Sequence, residues 1–251
     1  MFRQLFIFII LLHASVIISQ PRTSGKITFK ETVKFKIDIE GGNPELAKML
    51  PPSQSVEKVL YFKGGESLYK NNEKPKDTEI NHEEGSNKFQ MVIKVPENVT
   101  YVNTDEQTLL QFQDLMGKEF LITDKPASQV WKVTGEQKKI LDFICQKAIL
   151  SDTSKVVIAW FTPQIPVSSG PSGMGSLPGM ILGIEQDNGD RLTLATAIED
   201  LPATFNFEKP AKGKKVSKIE FEKIREEKMK EMGIINGKGP GVKMIIREER
   251  H

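Results

Sequence analysis

The chain has 251 residues, and its 35 Lys and Arg nearly balance its 33 Asp and Glu, so the overall charge gives no support for nucleic acid as a partner. A single cysteine cannot close an intramolecular disulfide, and the fold must therefore depend on the burial of apolar side chains. This length allows one domain with a sizeable core, or one domain with a small appendage.

The N-terminal segment has the features of a secretory signal peptide. Arg3 precedes an apolar run over residues 5–12, and the small residue Ser19 stands at a suitable cleavage position. The apolar segment is shorter than the roughly 20 residues that a spanning helix needs, which disfavours the alternative of a retained membrane anchor. No cysteine lies near the cleavage position, so a lipoprotein is also disfavoured. We therefore predict that residues 1–19 are removed and that the mature protein, periplasmic or secreted, has no transmembrane segment.

Alternating apolar and polar residues predict a mainly β domain over residues 20–207. The strictest alternation, over residues 26–39, is typical of a long strand with one solvated face. Shorter strand-like segments follow at 56–62, 67–69, 89–95, 109–114, 120–122, 130–133, 140–150, 156–161, 180–186 and 191–198. The polar segment 70–88 predicts a mobile loop. Because most links are short, we predict a curved antiparallel meander sheet, which could take the half-barrel form of periplasmic lipoprotein carriers.

Two helices are predicted outside the sheet. In the N-terminal half, residues 43–45 (Asn-Pro-Glu) have the cap, proline and acid of a short helix. Near the C-terminus, Ser217 and Glu220 form a capping box for a helix over about residues 217–232. This second helix belongs to the segment 208–251, which is more basic than the rest and is predicted as a separate part of the chain.

The sequence offers no familiar catalytic constellation. Three histidines occur: His13 in the signal segment, His251 at the C-terminus and His82 in the polar segment. A Ser-His-acid triad would require His82 to be held rigidly, which its polar neighbours do not suggest. Cys145 lies among apolar residues and is better explained as an inert buried thiol than as a nucleophile. One cysteine and one loop histidine disfavour a zinc site, and we predict neither a metal nor a cofactor.

Residues 169–183 (SGPSGMGSLPGMILG) are rich in glycine and proline. The stretch lacks the closing glycine of a nucleophile elbow, and Ser176 stands where a phosphate-binding loop needs lysine. Pro178 and Gly179 fit the central positions of a type II turn that leads into a strand. We therefore predict a structural role for six residues of this region and its surroundings. They are Gly170, Pro171, Leu177, Pro178, Gly179 and Cys145.

Three motifs occur in a fixed order in the second half of the chain: CQKA at 145–148, AWFTPQIP at 159–166 and SLPGMI at 176–181. In this order they resemble motifs of the GLPGLI family, a group of exported proteins of Bacteroidota. The resemblance implies a secreted or envelope β protein of uncharacterised function and supplies no catalytic residue. Ser176 replaces the first glycine of the family hexapeptide and Met180 its second leucine. Ser176 would be strained if that position has a positive φ.

The preferred functional interpretation is a non-enzymatic envelope protein that binds an apolar ligand, a peptide or a protein partner on one face of the sheet. The expected contacts are apolar side chains near the glycine-rich stretch: Trp160, Met174, Leu177, Met180 and Ile181. The partner would be a lipid, a peptide or an outer-membrane protein, and not a nucleic acid. The alternative is a secreted or periplasmic hydrolase that uses a carboxylate pair or a serine. The candidate serines are Ser168, Ser169, Ser172 and Ser176.

Overall fold

The computed structural model describes residues 21–34, 51–74, 78–84, 87–151, 156–202, 204–231 and 243–249. Its strands, in chain order, are β1 (Ser24–Lys34), β2 (Ser53–Lys63), β3 (Glu66–Asn71), β4 (Thr78–Glu84), β5 (Asn87–Lys94), β6 (Asn98–Asn103), β7 (Thr108–Leu115), β8 (Lys118–Asp124), β9 (Trp131–Ile140), β10 (Phe143–Leu150), β11 (Val157–Thr162), β12 (Met180–Gln186), β13 (Arg191–Glu199), β14 (Lys214–Val216) and β15 (Lys243–Glu249). An α-helix, α1, follows β14 over Lys218–Glu231.

Twelve of these strands form one sheet, in the order β14-β8-β7-β6-β3-β2-β1-β13-β12-β11-β10-β9. Neighbouring strands are antiparallel, except that β14 and β8 are parallel. Strand β1 joins two meanders, because it pairs with β2 on one side and with β13 on the other. The predicted fold class is confirmed: the protein is mainly β, with a curved sheet that does not close and a C-terminal helix.

A second sheet of three strands, in the order β15-β5-β4, includes a region that the sequence predicts as a loop. Strands β4 and β5 form an antiparallel hairpin, and β15 pairs antiparallel with β5. The loop prediction for residues 70–88 is wrong because it considered the polarity of the side chains alone. The backbone N–H and C=O groups of polar residues pair in a ladder as well as those of apolar residues do, and the partner strand decides the outcome.

Three predicted segments reach beyond the described part of the chain. Strand β1 is described as far as Lys34, so residues 35–39 of the predicted strand lie outside it. The signal segment 1–19 and the helix expected at 43–45 also lie outside the described residues. The division of the chain at residues 207 and 208 stays a prediction.

The predicted capping box at the start of α1 is present. The Glu220 amide donates a hydrogen bond to Ser217 Oγ over 3.2 Å, and the Ser217 amide donates one to Glu220 Oε2 over 2.7 Å. One turn further on, the ring of Phe221 packs edge-on against Phe120 of β8, with 5.4 Å between the ring centroids. This contact, together with the parallel pairing of β14 and β8, fixes the helix to the edge of the large sheet.

The link between β11 and β12, residues 163–179, is part of the hydrophobic core. Ile165 and Val167 are buried in one cluster with residues of β1 and β2, such as Ile27 and Phe62. Leu177 is buried in a second cluster with residues of β10, β11 and β12. Two apolar clusters therefore anchor this glycine-rich link, and it is a folded part of the domain. Within the described residues, no helix is long and apolar enough to cross a membrane.

Candidate functional site

A cavity of about 260 Å³ lies where the glycine-rich link meets the turn between β2 and β3. Four segments of the chain contribute to its lining: residues 64–67, 102–107, 126–128 and 167–176. The lining residues are mostly small or polar: Gly64, Gly65, Glu66, Ser67, Val102, Thr104, Gln107, Pro126, Ala127, Ser128, Val167, Ser168, Ser169, Gly173, Met174, Gly175 and Ser176. The lining is therefore of mixed polarity.

Two glycines allow the walls of the cavity to approach each other. A Cβ atom on Gly65 would lie 2.7 Å from Thr104 Oγ1, and the Thr104 amide donates a hydrogen bond to Gly65 O over 2.9 Å. Gly173 has a φ of +78°, and a Cβ atom there would lie 3.1 Å from Thr100 Cγ2 on β6. Larger residues at these positions would push the link away from the sheet, so the glycines set the width of the cavity.

The link is also fixed from the start of β9. Gln129 Oε1 accepts a hydrogen bond from the Gly175 amide over 2.8 Å, and the Gln129 amide donates to Ser176 Oγ over 3.1 Å. The Trp131 indole N–H donates to Gly175 O over 2.8 Å. These three bonds hold the two residues of the link that line this side of the cavity.

Glu66 lies at the edge of the cavity, and its side chain lies on the face of the sheet that carries Tyr101, opposite the face of Val102 that the link covers. Its Oε1 accepts a hydrogen bond of 2.5 Å from the hydroxyl of Tyr101, a buried residue of β6. Burial and then the Glu66 carboxylate raise the pKa of Tyr101, so its proton stays on the phenol at neutral pH. The Glu66 carboxylate is thus held in one orientation by a donor that does not ionise.

Lys209 lies against the tyrosine ring. Its Nζ is 4.9 Å from the centroid of the Tyr101 ring and 3.6 Å from Glu106 Oε2. The hydrogen bond with Tyr101 is the main cause that raises the pKa of Lys209, with smaller contributions from Glu106 and Glu66. Glu66, Tyr101 and Lys209 therefore form one group of interacting polar side chains on this face of the sheet.

A second carboxylate cluster lies elsewhere on the sheet, around Glu185 of β12. Glu185 Oε1 accepts hydrogen bonds from Lys138 Nζ over 2.9 Å and from the Trp160 indole N–H over 2.8 Å. Burial acts to raise the pKa of Glu185, but these two donors outweigh it and the pKa is lowered overall. Both donors meet one oxygen of the carboxylate, and Glu185 is not among the residues that line the cavity.

Cys145 is completely buried next to this second cluster. Burial raises the pKa of its thiol to about 11, so the sulfur is protonated at neutral pH. Its closest polar contact is the Phe143 carbonyl oxygen, 3.8 Å from the sulfur. Within the described residues, no group of acids, histidines and cysteines is arranged to hold a metal ion.

Most of the predicted ligand contacts are core residues. Trp160 is 8% exposed and Leu177 is 3% exposed, while Met180 and Ile181 are fully buried. Met174 is half-buried and is the only one of the five that lines the cavity. The assignment of these residues as ligand contacts stays a prediction.

The candidate serines of the hydrolase alternative are better placed. Ser168, Ser169 and Ser176 line the cavity together with Glu66, whereas Ser172 does not. Ser176 has a φ of +62°, in the left-handed region. Its backbone therefore has the positive φ for which strain was expected at this position of the hexapeptide.

Gly179 does not form the predicted type II turn. Its φ is +154°, whereas the third residue of such a turn needs about +80°. The Gly179 amide donates to Leu177 O over 2.8 Å, and the Met180 amide donates to Ile165 O over 3.0 Å. A Cβ atom on Gly179 would lie 2.1 Å from Thr162 O. A close approach of two backbone segments therefore requires glycine here.

The other residues of the predicted structural motif lie in the same link. Gly170 has an extended backbone, and a Cβ atom there would lie 2.7 Å from Ile181 Cβ. Pro171 is buried and begins a short 3-10 turn, Pro171–Gly173, while Pro178 is exposed. Close packing against β12 thus explains the small residue at position 170.

Glu66, Tyr101 and Lys209 were not identified as site residues from the sequence. Glu66 follows a Gly-Gly turn, Tyr101 lies in an unremarked strand and Lys209 lies in a polar stretch, so no short motif connects them. The pairing of β3 with β6, in which Glu66 lies opposite Asn103, brings Glu66 close to Tyr101. The Gly64-Gly65 pair before Glu66 was the one local signal that another segment of the chain, here Thr104, approaches closely.

Comparison with known proteins identifies relatives of this fold. The model of a family described as "N-glycanase peptide, N-terminal domain" matches residues 74–222. Two solved structures of PNGF-II, in the P21 and C2 space groups, share the fold with TM-scores of 0.53 and 0.50. Both are 20% identical to this chain over 80% of its length, and the chain spans 33% and 32% of theirs. No curated protein matches the chain.

These matches correct two expectations from the sequence. The resemblance to the GLPGLI family is wrong, because the matching family model is a different one and covers the same motifs. The non-enzymatic interpretation is also contradicted, because the matching family is that of N-glycanases, which are hydrolases, and the hydrolase alternative fits better. The misleading motifs contain Ala148, Ala159 and Phe161, which are buried together in the core. They therefore reflect packing, which different β families can share.

Proposed function

We propose, because the chain belongs to the family of N-glycanase N-terminal domains, that it acts in a hydrolase of N-glycans. The observation that carries the proposal is the family match over residues 74–222, which extends from the segment before β4 into α1. The likeness to PNGF-II supports the fold alone, since the identity is 20%. The chain spans about a third of those structures, so the activity of a whole N-glycanase is part of the proposal and not its evidence.

The cavity is the place where the described residues could meet such a substrate. At about 260 Å³ it is slightly smaller than the roughly 300–1,000 Å³ of pockets that enclose drug-sized ligands. Its lining residues include one glutamate, several serines and several glycines. The carboxylate-pair form of the hydrolase alternative would need a second acid, and Glu66 is the single acid among the lining residues. The lining therefore favours recognition of the substrate over cleavage by a carboxylate pair.

The proposal is tested with the full chain and an N-glycosylated protein. The purified chain is incubated with the glycoprotein, and released glycan is measured by mass spectrometry. Binding is measured in parallel with the same protein before and after complete removal of its glycans. Release of glycan, or binding that requires the glycan, supports the proposal. The absence of both would contradict it, provided that the chain unfolds cooperatively on heating and is thus folded in the assay.

We also propose that the protein is exported through residues 1–19. The proposal is supported by the apolar run after Arg3 and by the small residue at Ser19. The mature protein should begin close to Gln20 when it is purified from the periplasm or the medium, which N-terminal sequencing would show. A protein that keeps Met1 in those fractions would contradict the cleavage.

A further inference from the structure

We propose that Asn188, in the turn between β12 and β13, is a site of spontaneous deamidation, in which water converts the asparagine to aspartate and isoaspartate. The inference is independent of the proposed function, because it concerns the chemistry of one turn and involves no ligand. Three observations carry it: the backbone angles of the turn, the position of its central peptide unit outside the strand ladder, and the exposure of the Asn188 side chain.

The turn requires the residue types that also favour this reaction. Asp187, Asn188 and Gly189 follow one another with positive φ angles of 51°, 58° and 84°. Asp, Asn and Gly adopt this left-handed region more readily than other residues, so the hairpin selects them. Glycine has no Cβ atom to shield its nitrogen, and nothing lies within 4 Å of the Cβ position of Gly189. The fold therefore places an unshielded amide nitrogen next to an asparagine side chain.

The reaction takes place in two steps. The backbone nitrogen of Gly189 loses its proton and attacks Cγ of Asn188, which closes a succinimide ring. The bond between Cγ and Nδ2 breaks, and the side-chain nitrogen leaves with that proton as ammonia. Water then opens the ring: attack at Cγ gives aspartate, and attack at the main-chain carbonyl carbon gives isoaspartate. One water is consumed and one ammonia is released, so no other reactant is needed.

The peptide unit between Asn188 and Gly189 lies outside the strand ladder. The pairing of β12 with β13 ends at Gln186 opposite Arg191, which leaves residues 187–190 as the loop. A backbone hydrogen bond across this loop spans 3.3 Å, longer than the usual 2.9–3.0 Å. Cyclisation needs rotation about ψ and χ1 of Asn188 to bring Cγ to the glycine nitrogen. A loop outside the ladder, closed by a long bond, allows this rotation through local opening.

The side chain of Asn188 is exposed and is not held in place. Within the described residues it makes no hydrogen bond. Asn103 shows the contrast, because it is buried and its Oδ1 accepts hydrogen bonds from the Asp105 and Glu106 amides over 3.0 and 2.9 Å. Among the asparagines that the structure describes, Asn188 is the one that glycine follows. Exposure and the following glycine therefore coincide at this position.

Both products change the turn. Each adds a carboxylate between Asp187 and Asp190, so three acidic residues stand within four positions and repel one another. Isoaspartate also adds one carbon atom to the main chain of the loop. The Lys34 amide donates a hydrogen bond to Asp190 O over 2.8 Å, which ties this loop to β1. The modification therefore acts where β1 meets the turn.

The experiment compares Asn188 with Asn206 in the full, folded chain, kept at mildly alkaline pH. Asn206 is also exposed, but the next residue is Phe207, whose side chain shields the backbone nitrogen. Peptide mass spectrometry detects the exchange of NH₂ for OH as a gain of about 1 Da, and chromatography separates aspartate from isoaspartate. The variant Gly189→Ala is treated in the same way, because its methyl group hinders the attack on Asn188.

We expect the Asn188 peptide of the wild type to gain mass several-fold faster than the Asn206 peptide, with isoaspartate among the products. Gly189→Ala should slow the gain several-fold, and cooperative thermal unfolding of both proteins shows that they are folded. Equal rates at Asn188 and Asn206, or equal rates with and without the methyl group, would overturn the inference. An Asn188 that is modified in guanidinium chloride but not in the folded chain would also overturn it, because the turn would then protect the side chain. None of these measurements involves a glycan, so their failure leaves the proposed function untouched.

Discussion

Glu66 and Glu185 are both half-buried carboxylates with an aromatic donor and a lysine nearby, yet the two sites differ in where the lysine lies. At Glu185, Lys138 contacts the carboxylate directly over 2.9 Å and also lies 4.0 Å from the centroid of the Trp160 ring. At Glu66, the carboxylate accepts from the tyrosine hydroxyl, and Lys209 contacts Tyr101 and Glu106. A cation thus contacts the first carboxylate directly, whereas the second carboxylate meets a neutral donor.

This difference predicts different contributions to stability. Lys138, Glu185 and Trp160 form one group on the sheet, and Trp160 is part of the hydrophobic core. Glu66 lies at the start of β3 and accepts one hydrogen bond from Tyr101. We therefore expect substitutions around Glu185 to lower the free energy of unfolding more than substitutions around Glu66 do.

The largest effect on stability is expected for Trp160→Ala. The substitution removes a large core side chain and one donor to Glu185, and it should lower the free energy of unfolding by about 3–5 kcal/mol. Denaturant unfolding measures this loss. Glycopeptide affinity should stay within twofold at a temperature where the variant is folded. A strong loss of affinity would instead assign Trp160 to the ligand site and remove the distinction between the two carboxylates.

The next largest effect is expected for Gly179→Ala, in the link that forms one wall of the cavity. The added Cβ would overlap Thr162 O, so the link must shift and the free energy of unfolding should fall by about 1–3 kcal/mol. Gly189→Ala is a matched control, because Gly189 also has a positive φ but nothing lies within 4 Å of its Cβ position. Equal losses in the two variants would show that the backbone angle, and not the close approach, determines the requirement for glycine.

A smaller change in stability is expected for Tyr101→Phe, which keeps the buried ring and removes the hydroxyl that orients Glu66. The free energy of unfolding should fall by about 1 kcal/mol, the usual net value of one hydrogen bond. Thermal unfolding measures this loss. An unchanged stability would show that the hydrogen bond between Tyr101 and Glu66 makes no net contribution to folding.

The smallest effect is a dependence of the free energy of unfolding on pH, which arises from the Glu185 carboxylate. Its folded-state pKa lies below the ordinary value of 4.5, so the folded protein favours the charged form. The stability that this provides is present above pH 4.5 and is lost as the pH falls through the lowered pKa. The stability difference between the wild type and Glu185→Gln should therefore shrink from pH 6 to pH 3, as measured by thermal unfolding. A difference that stays constant over this range would contradict the direction of the shift.

Local sequence patterns predicted the structure correctly where it depends on residues that are close together in the chain. The alternation around Ile27 and Phe29 predicts β1, and these side chains are buried as the pattern requires. The capping box of α1 is read from Ser217 and Glu220 alone, because the bonds involved span three residues. Residues 78–84 show the limit of this approach, since a polar segment became a strand through its partners.

The glycine-rich link shows a second limit. The sequence identified Gly179 as a residue that must be glycine, but it assigned the wrong cause. The cause is the carbonyl group of Thr162, the last residue of β11, which approaches Gly179 only after the link has folded back on the sheet. A resemblance of motifs in the same region suggested a different family, because buried small and aromatic residues recur in unrelated β cores.

The sequence by itself determined the class of the fold, since alternation and capping act over a few residues and need no distant partner. The tertiary structure alone decided the site. Glu66 and Tyr101 are 35 residues apart, and the register of β3 against β6 joins them. Lys209 reaches the same ring from a segment beyond β13. Pairing of distant strands follows from the burial of whole faces of a sheet, and no local pattern records which polar residues that burial brings together.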